Sequence, residues 1–430
     1  MMKRPDRRLV ALCCAVYFTS YLTRKCYEAS ILAICDDTGL ARTAAGLAGT
    51  ATVALYGGGQ LVTGWLADRI DPRRIVFAAL LLTAACNAAI PAAASAGTPW
   101  LVAVNATNGF AQAMFWPPLV KIFAESLAAE RYKGAVFAVN VAANAAIVAV
   151  FALVAASIRL ANWRLSFALA AAIAIAMAAI WWRGCNRRQP ISISRTRPRT
   201  ASIDRTRPHS TAIDCNRPQS TALAAAMLLP VVLAIVCMGA MRDGIETWAP
   251  TIVKDVYGLG ASGSTLSVAI LPFFAVASMA AARRLRAALG DETRAALALF
   301  GIGLGCSVAL HSTGGAALFP GLPLFALLSA SMHGANLMLV CELPGTFAGG
   351  KRVGTVSGIL NAAVYAGASL SIYGFAAIHA RNGGWTAVFA VWVAVLAVGI
   401  ALLALARRIS RGAQRAMSGS GSTGTPSLSS

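Results

Sequence analysis

The chain has 430 residues, of which 58% are hydrophobic and only 12% charged, with a mean hydropathy of +0.67. That balance excludes a soluble multi-domain protein and places the chain in a bilayer. The formal net charge of +21 would suit a nucleic-acid binder, but the distribution of that charge along the chain excludes one.

Apolar runs of about 20 residues, long enough to cross roughly 30 Å of hydrocarbon, recur throughout. Twelve are read, at about 9–34, 43–66, 75–95, 99–124, 134–158, 164–183, 222–248, 262–282, 294–312, 316–341, 353–378 and 385–406. They are continuous rather than alternating, so helices and not barrel strands must satisfy the backbone in lipid. The expected fold is therefore an all-α membrane protein of twelve transmembrane helices in two six-helix halves.

Assigning alternate loops to the two sides collects nearly all the arginines and lysines on one face. These include Arg4, Arg7 and Arg8, Arg69, Arg73 and Arg74, the run from Arg183 to Arg217, Arg283, Arg284 and Arg286, and Arg407, Arg408 and Arg411. Opposite them stand Arg42, Arg159, Arg164, Lys254 and Arg381. The positive-inside rule then puts both termini in the cytoplasm, and the basic charge is topology rather than a nucleic-acid footprint. The basic start and apolar run have no small-residue cleavage site after them, so they read as the first span and not a signal peptide. Ten cysteines are scattered without a CxxC pair or a Cys/His cluster, which supports neither a disulfide framework nor a metal site, and no cofactor is expected.

Along the chain, the first span carries "YLTRKCYEAS", with Arg24 about midway. Facing lipid, that guanidinium would cost at least about 2.5 kcal/mol, so it must face protein. Tyr17, Tyr21, Arg24 and Glu28 recur at helical spacing and form one polar and aromatic stripe. Between the second and third spans, "GWLADRIDPRR" offers Gly64 for close helix approach and Asp68, Arg69 and Arg73 for a charged latch beside a helix end; a plain positive-inside cluster is the alternative. In the fourth span Trp116, Pro117 and Pro118 bend and pack the helix, and Lys121 snorkels towards the interface. A repeat of ten residues occupies 195–224, "RTRPRTASID", "RTRPHSTAID", "CNRPQSTALA", too rich in Arg, Pro, Ser and Thr to bury a core. It reads as a cytoplasmic tether facing anionic lipid, or as a docking or phosphorylation segment. The divisions expected are 1–183, a linker over 184–221, 222–408, and a disordered tail over 409–430. In "CMGAMRDGIETWAP", Arg242 is a second intramembrane arginine, with Asp243 and Glu246 nearby. His333 and Asn336, one turn apart, and Tyr365 could each hydrogen-bond a ligand or simply a neighbouring helix.

Six spans, a polar segment and six more spans, together with the G-x-x-x-D-R pattern of "GWLADRIDPRR", resemble the plan of the major facilitator superfamily, whose halves rock around a midplane site. On that plan the first and seventh spans correspond, so Arg24 and Arg242 occupy related places. A pair so related suits a clamp for an anion, since the guanidinium fork binds phosphate or carboxylate bidentately. Local pairs, Arg24 with Glu28 and Arg242 with Asp243 or Glu246, are the alternative. More narrowly, "YLTRKCYEAS", "YGGGQLVTGWLADRIDPRR", "NGFAQAMFWPPLVKIF", "MRDGIETWAPTIVKDVYG" and "HGANLMLVCELPGTF" resemble, in order and spacing, the organophosphate:phosphate antiporter family, which includes bacterial glycerol-3-phosphate and hexose-phosphate transporters.

That resemblance implies an inner-membrane antiporter exchanging inorganic phosphate for a phosphate ester, with Arg24 and Arg242 on the phosphoryl group. It adds Tyr17, Tyr21, Tyr56 and Asn140 to the pathway. Gln60 stands where the glycerol-phosphate transporter has a lysine, and Ala143 where it has a histidine, so the cargo end of the site departs from that member. A monomer surrounded by lipid is expected. Two other readings stay open: a transporter-like receptor for an external organophosphate, and a proton-coupled exporter of another solute, disfavoured because buried arginines suit an anion. No nucleophile, base and orienting group recur at workable spacing, so an enzyme is not expected.

Overall fold

A computed structural model describes residues 4–186, 218–258, 271–313, 318–347, 352–382 and 384–419. Most of the decapeptide repeat, over 195–217, lies outside them. The described residues are helical nearly throughout. In order the helices are α1 (Arg4–Thr38), α2 (Arg42–Ala67), α3 (Pro72–Ala96), α4 (Thr98–Ala113), α5 (Trp116–Ser126), α6 (Ala129–Leu160) and α7 (Trp163–Asn186). There follow α8 (Pro218–Tyr257), α9 (Leu271–Leu289), α10 (Glu292–Ser312), α11 (Leu318–Asn336), α12 (Val353–Asn382) and α13 (Thr386–Gly419).

Eight of these, α3, α6 to α8 and α10 to α13, are long and apolar enough to cross a bilayer by length and composition. Of the other four expected spans, the eighth, over 262–282, lies outside the described residues up to 270, and the first, second and fourth depart from simple apolar helices for visible reasons. Arg24, Lys25 and Glu28 interrupt α1, and α2 is diluted by glycine and threonine. The fourth span is split into α4 and α5, because Pro117 and Pro118 have no backbone donors to continue the helix behind them. The tenth changes pitch, passing from α11 through a π-helical turn, Leu337–Glu342, into a 3₁₀ turn, Leu343–Phe347. The last helix runs past its apolar span to Gly419. This is a multi-pass membrane protein.

Two compact units divide the chain, one holding residues 1–212 with 344–362 and the other 213–343 with 363–430. In the first, α2 packs on α4, α1 on α6, and α3 on α7. Lipid tails are as apolar as leucine, so close backbone approach and interhelical hydrogen bonds, rather than hydrophobic burial, hold such helices together. Both devices are present. A Cβ on Gly109 would collide with the Thr52 carbonyl, so α2 and α4 meet backbone to backbone. Beside that contact, the Gln112 amide donates to Thr83 Oγ1 (2.7 Å) and Thr23 Oγ1 (3.0 Å), while Thr83 donates to Asn108 Oδ1 (2.6 Å). This buried chain ties α1, α3 and α4 together.

In the second unit α8 packs on α13, and α11 on α8, α9 and α10. Trp392 is fully buried among Phe325, Phe375 and Phe389, with ring centroids 5.2–6.0 Å away. Glu342, also fully buried, meets Arg286 at 3.4 Å and Arg283 at 3.8 Å.

Gly109→Ala should destabilise the protein by about 1–3 kcal/mol through overpacking. Gly58→Ala, where an added Cβ meets nothing within 4 Å, should be neutral or slightly stabilising. Thermal unfolding in detergent compares the two, and equal midpoints would contradict the packing assigned to Gly109.

Candidate functional site

Within the first unit, the α1 stripe closes around Arg24. Its guanidinium carbon lies 4.2 Å from the centre of the Tyr56 ring and 5.6 Å from that of Tyr21. Tyr21 in turn packs on Tyr17 (5.1 Å), and Tyr17 on Trp116 (5.4 Å). Tyr17, Tyr56 and Trp116 are buried. Aromatic faces hold a cation by their quadrupole. Glu28 pairs with Lys25 at 2.6 Å, so the acid beside Arg24 in sequence is engaged by the adjacent lysine.

Gln60, one turn on from Tyr56, is fully buried, and neither polar atom of its amide meets a hydrogen-bond partner among the described residues. Leaving such a group unmatched costs about 1–3 kcal/mol. Asn140 is half-buried on α6 and donates to the Val136 carbonyl at 2.9 Å. Ala143 is buried.

Within the second unit, Arg242 makes a two-pronged contact with Asp243, Nε to Oδ1 at 2.7 Å and Nη2 to Oδ2 at 3.0 Å. The local pair is formed. Tyr365 and Glu246 lie within electrostatic range of the same guanidinium. His333, one turn before the buried Asn336, places Nε2 3.1 Å from Glu246 Oε1 and Nδ1 3.0 Å from the Ser329 carbonyl. Arg242 and His333 are therefore joined through Glu246, with Tyr365 within electrostatic range of Arg242.

The residues of the "GWLADRIDPRR" loop divide their roles. Asp68 accepts from the Gly354 N–H (2.9 Å), the Thr355 N–H (2.7 Å) and the Thr355 hydroxyl (2.6 Å). A carboxylate thus sits on the exposed donors of the α12 N-terminus, where the helix dipole also favours negative charge. Gly64 makes this possible, since a Cβ there would come within 2.6 Å of the Gly354 carbonyl oxygen. Arg69 stacks instead on Trp65 at 3.8 Å. Arg73 contributes its backbone: its N–H donates to Asp71, which caps α3, and its carbonyl accepts from the Trp181 indole.

Lys121 was expected to reach the interface. It donates to the Ala67 carbonyl at 2.7 Å and lies 3.8 Å from Asp68, which makes it part of the latch. The signal was its place one turn beyond Pro117 and Pro118, where the broken fourth span re-enters beside α2. Thr355 could not be read as a partner, because its contact joins residues 287 apart in the chain.

A model of the Major Facilitator Superfamily matches residues 13–372. No curated protein matches the sequence. Among solved structures, the chain is similar to the E. coli fucose:proton symporter FucP (TM-score 0.66, 14% identity, 94% of this chain and 99% of that one). It is also similar to a bacterial homologue of the iron transporter ferroportin (TM-score 0.70, 12% identity, 94% and 99%). A third is the human organic anion transporter MFSD10 (TM-score 0.69, 15% identity, 93% and 100%). At these identities the likeness is one of fold.

Asp68→Asn should loosen the start of α12. Losing one charge-assisted contact is worth about 1.5–3 kcal/mol, or roughly ten- to hundredfold faster amide exchange at Gly354 and Thr355. Hydrogen–deuterium exchange by mass spectrometry reads this directly, and unchanged protection of 353–358 would contradict the latch.

Proposed function

Because the chain belongs to the Major Facilitator Superfamily and so is a membrane transporter rather than an enzyme, we propose that it exchanges an organic phosphate ester for inorganic phosphate by alternating access. The observation that carries this reading is the pair of intramembrane arginines, each held in its own unit by a different device. Arg24 rests on aromatic faces, and Arg242 rests on a carboxylate that a phosphoryl group can replace oxygen for oxygen. A phosphoryl group offers three acceptor oxygens with up to two negative charges, which suits two forks approaching from different helices. A cationic cargo would find the wrong sign of charge at both positions.

On this proposal Tyr17, Tyr21, Tyr56, Gln60 and Asn140 line the path on the Arg24 side, with His333 and Tyr365 on the Arg242 side. The unmatched Gln60 amide is the natural acceptor or donor for a cargo hydroxyl. The halves over 1–183 and 222–408 would rock about this site, with Gly64, Asp68, Arg69 and Arg73 in the conformational latch. Both termini and the tether over 184–221 would lie in the cytoplasm beneath the inner membrane, and the chain would act as a monomer in lipid. The ester is of the sugar phosphate, glycerol phosphate or phosphoglycerate type.

Arg24→Lys and Arg242→Lys each test the clamp. An ammonium keeps the charge but not the fork, so each variant should insert normally and yet lose exchange by roughly ten- to hundredfold, the value of one charge-assisted hydrogen bond. Normal phosphate exchange in either variant would refute it. Gln60→Lys with Ala143→His should preserve phosphate self-exchange and strengthen competition by glycerol-3-phosphate relative to larger esters. An unchanged competition profile would show that these positions do not choose the cargo.

A further inference from the structure

Both ring nitrogens of His333 face oxygen. Nδ1 lies 3.0 Å from the Ser329 carbonyl on its own helix, and Nε2 lies 3.1 Å from the Glu246 carboxylate on α8. A neutral imidazole has one N–H and one lone pair, so it can satisfy only one of these acceptors. The second contact would set a lone pair against a carboxylate oxygen. This geometry calls for one further proton between Nε2 and Oε1, carried on Nε2 because an imidazole is ordinarily a stronger base than a carboxylate. The His333 side chain is 13% exposed and that of Glu246 42%, so the acid is the more accessible end of the pair.

Glu246 is four residues beyond Arg242, on the same face of α8, and lies within electrostatic range of its guanidinium. We propose that Glu246 and His333 form a proton-binding site linked to anion occupancy at Arg242, so that the anion binds together with a proton. The proposal rests on Arg242 binding the phosphoryl group. With the proton present, Glu246 pairs with His333. When it leaves to solvent, the Glu246 carboxylate becomes a second competitor, after Asp243, for the guanidinium that the anion needs. Linkage is reciprocal, so anion binding must favour proton uptake by the same factor.

Several charged groups on the elements packed around the pair are engaged elsewhere or belong to the same cluster, while Arg284 of α9 is exposed. On α8 they are Arg242 and Asp243, paired with each other, and on α12 Tyr365, within electrostatic range of Arg242. On α9, Arg283 and Arg286 turn to Glu342, and Arg286 also to Glu292 of α10. His311 of α10 meets the Thr386 carbonyl, and Arg407 of α13 lies 4.0 Å from Asp291.

Two measurements test this. In protein labelled with ¹⁵N-histidine, with the His333 ring assigned by its loss in His333→Gln, both ring nitrogens should be protonated. In Glu246→Gln the Nε2 proton should be gone, because an amide can donate to the bare nitrogen. A wild-type ring with an unprotonated Nε2 overturns the proton site. In proteoliposomes, the KM for inorganic phosphate should climb with pH more steeply in the wild type than in Glu246→Gln, by up to about tenfold per pH unit for one linked proton. Phosphate's own titration is common to both. Parallel profiles overturn the coupling even where the ring carries two protons. A wild-type protein that exchanges no phosphate removes the anion reading and the coupling with it, while the ring signals still decide whether the proton site exists.

Discussion

A guanidinium cannot stay within the hydrocarbon thickness unless protein surrounds it, and this constraint orders much of the molecule. Arg24 on α1 and Arg242 on α8 would each cost several kcal/mol against lipid. Each helix therefore turns its charged side inward, and the remaining faces are left for packing and lipid. The two solutions differ chemically. Tyr56 and Tyr21 support Arg24 by ring faces, whereas Asp243 supports Arg242 by direct pairing. On the proposed function, the Asp243 carboxylate is the ligand that an incoming anion would displace from Arg242.

Around these charges the helices are joined by devices suited to lipid. Gly109 lets α4 meet α2 at Thr52, and Gly239 lets α8 meet α12 at Val364. Thr23, Thr83, Asn108 and Gln112 close a hydrogen-bonded chain across three helices. Asp68 belongs to the same logic: a half-buried carboxylate is tolerated because a helix terminus supplies donors that have no intrahelical acceptor.

The membrane spans were legible because hydropathy is a property of contiguous residues. The stripe of Tyr17, Tyr21 and Arg24 was legible for a similar reason, since helical spacing alone places those side chains together. The division of the fourth span into α4 and α5 followed from Pro117 and Pro118. What stayed hidden depended on contacts between distant segments. Nothing near Asp68 names Thr355, and nothing near His333 names Glu246. Glu246 was weighed as a partner for Arg242, but it also binds His333, because the packing of α11 on α8 and not sequence distance sets its neighbours. The π-helical turn at Leu337–Glu342, which buries Glu342 beside Arg283 and Arg286, likewise has no signature in a run that reads as uniformly apolar.

The central claim is that a phosphoryl anion is the cargo, and counterflow tests it most directly. Purified protein is reconstituted into liposomes loaded with one unlabelled anion at a time, and uptake of labelled inorganic phosphate is followed. The account predicts rapid uptake when the lumen holds phosphate or a phosphate ester, and little when it holds chloride or a neutral sugar. Uptake that is equal for every lumenal solute, or absent with phosphate itself inside, would contradict it.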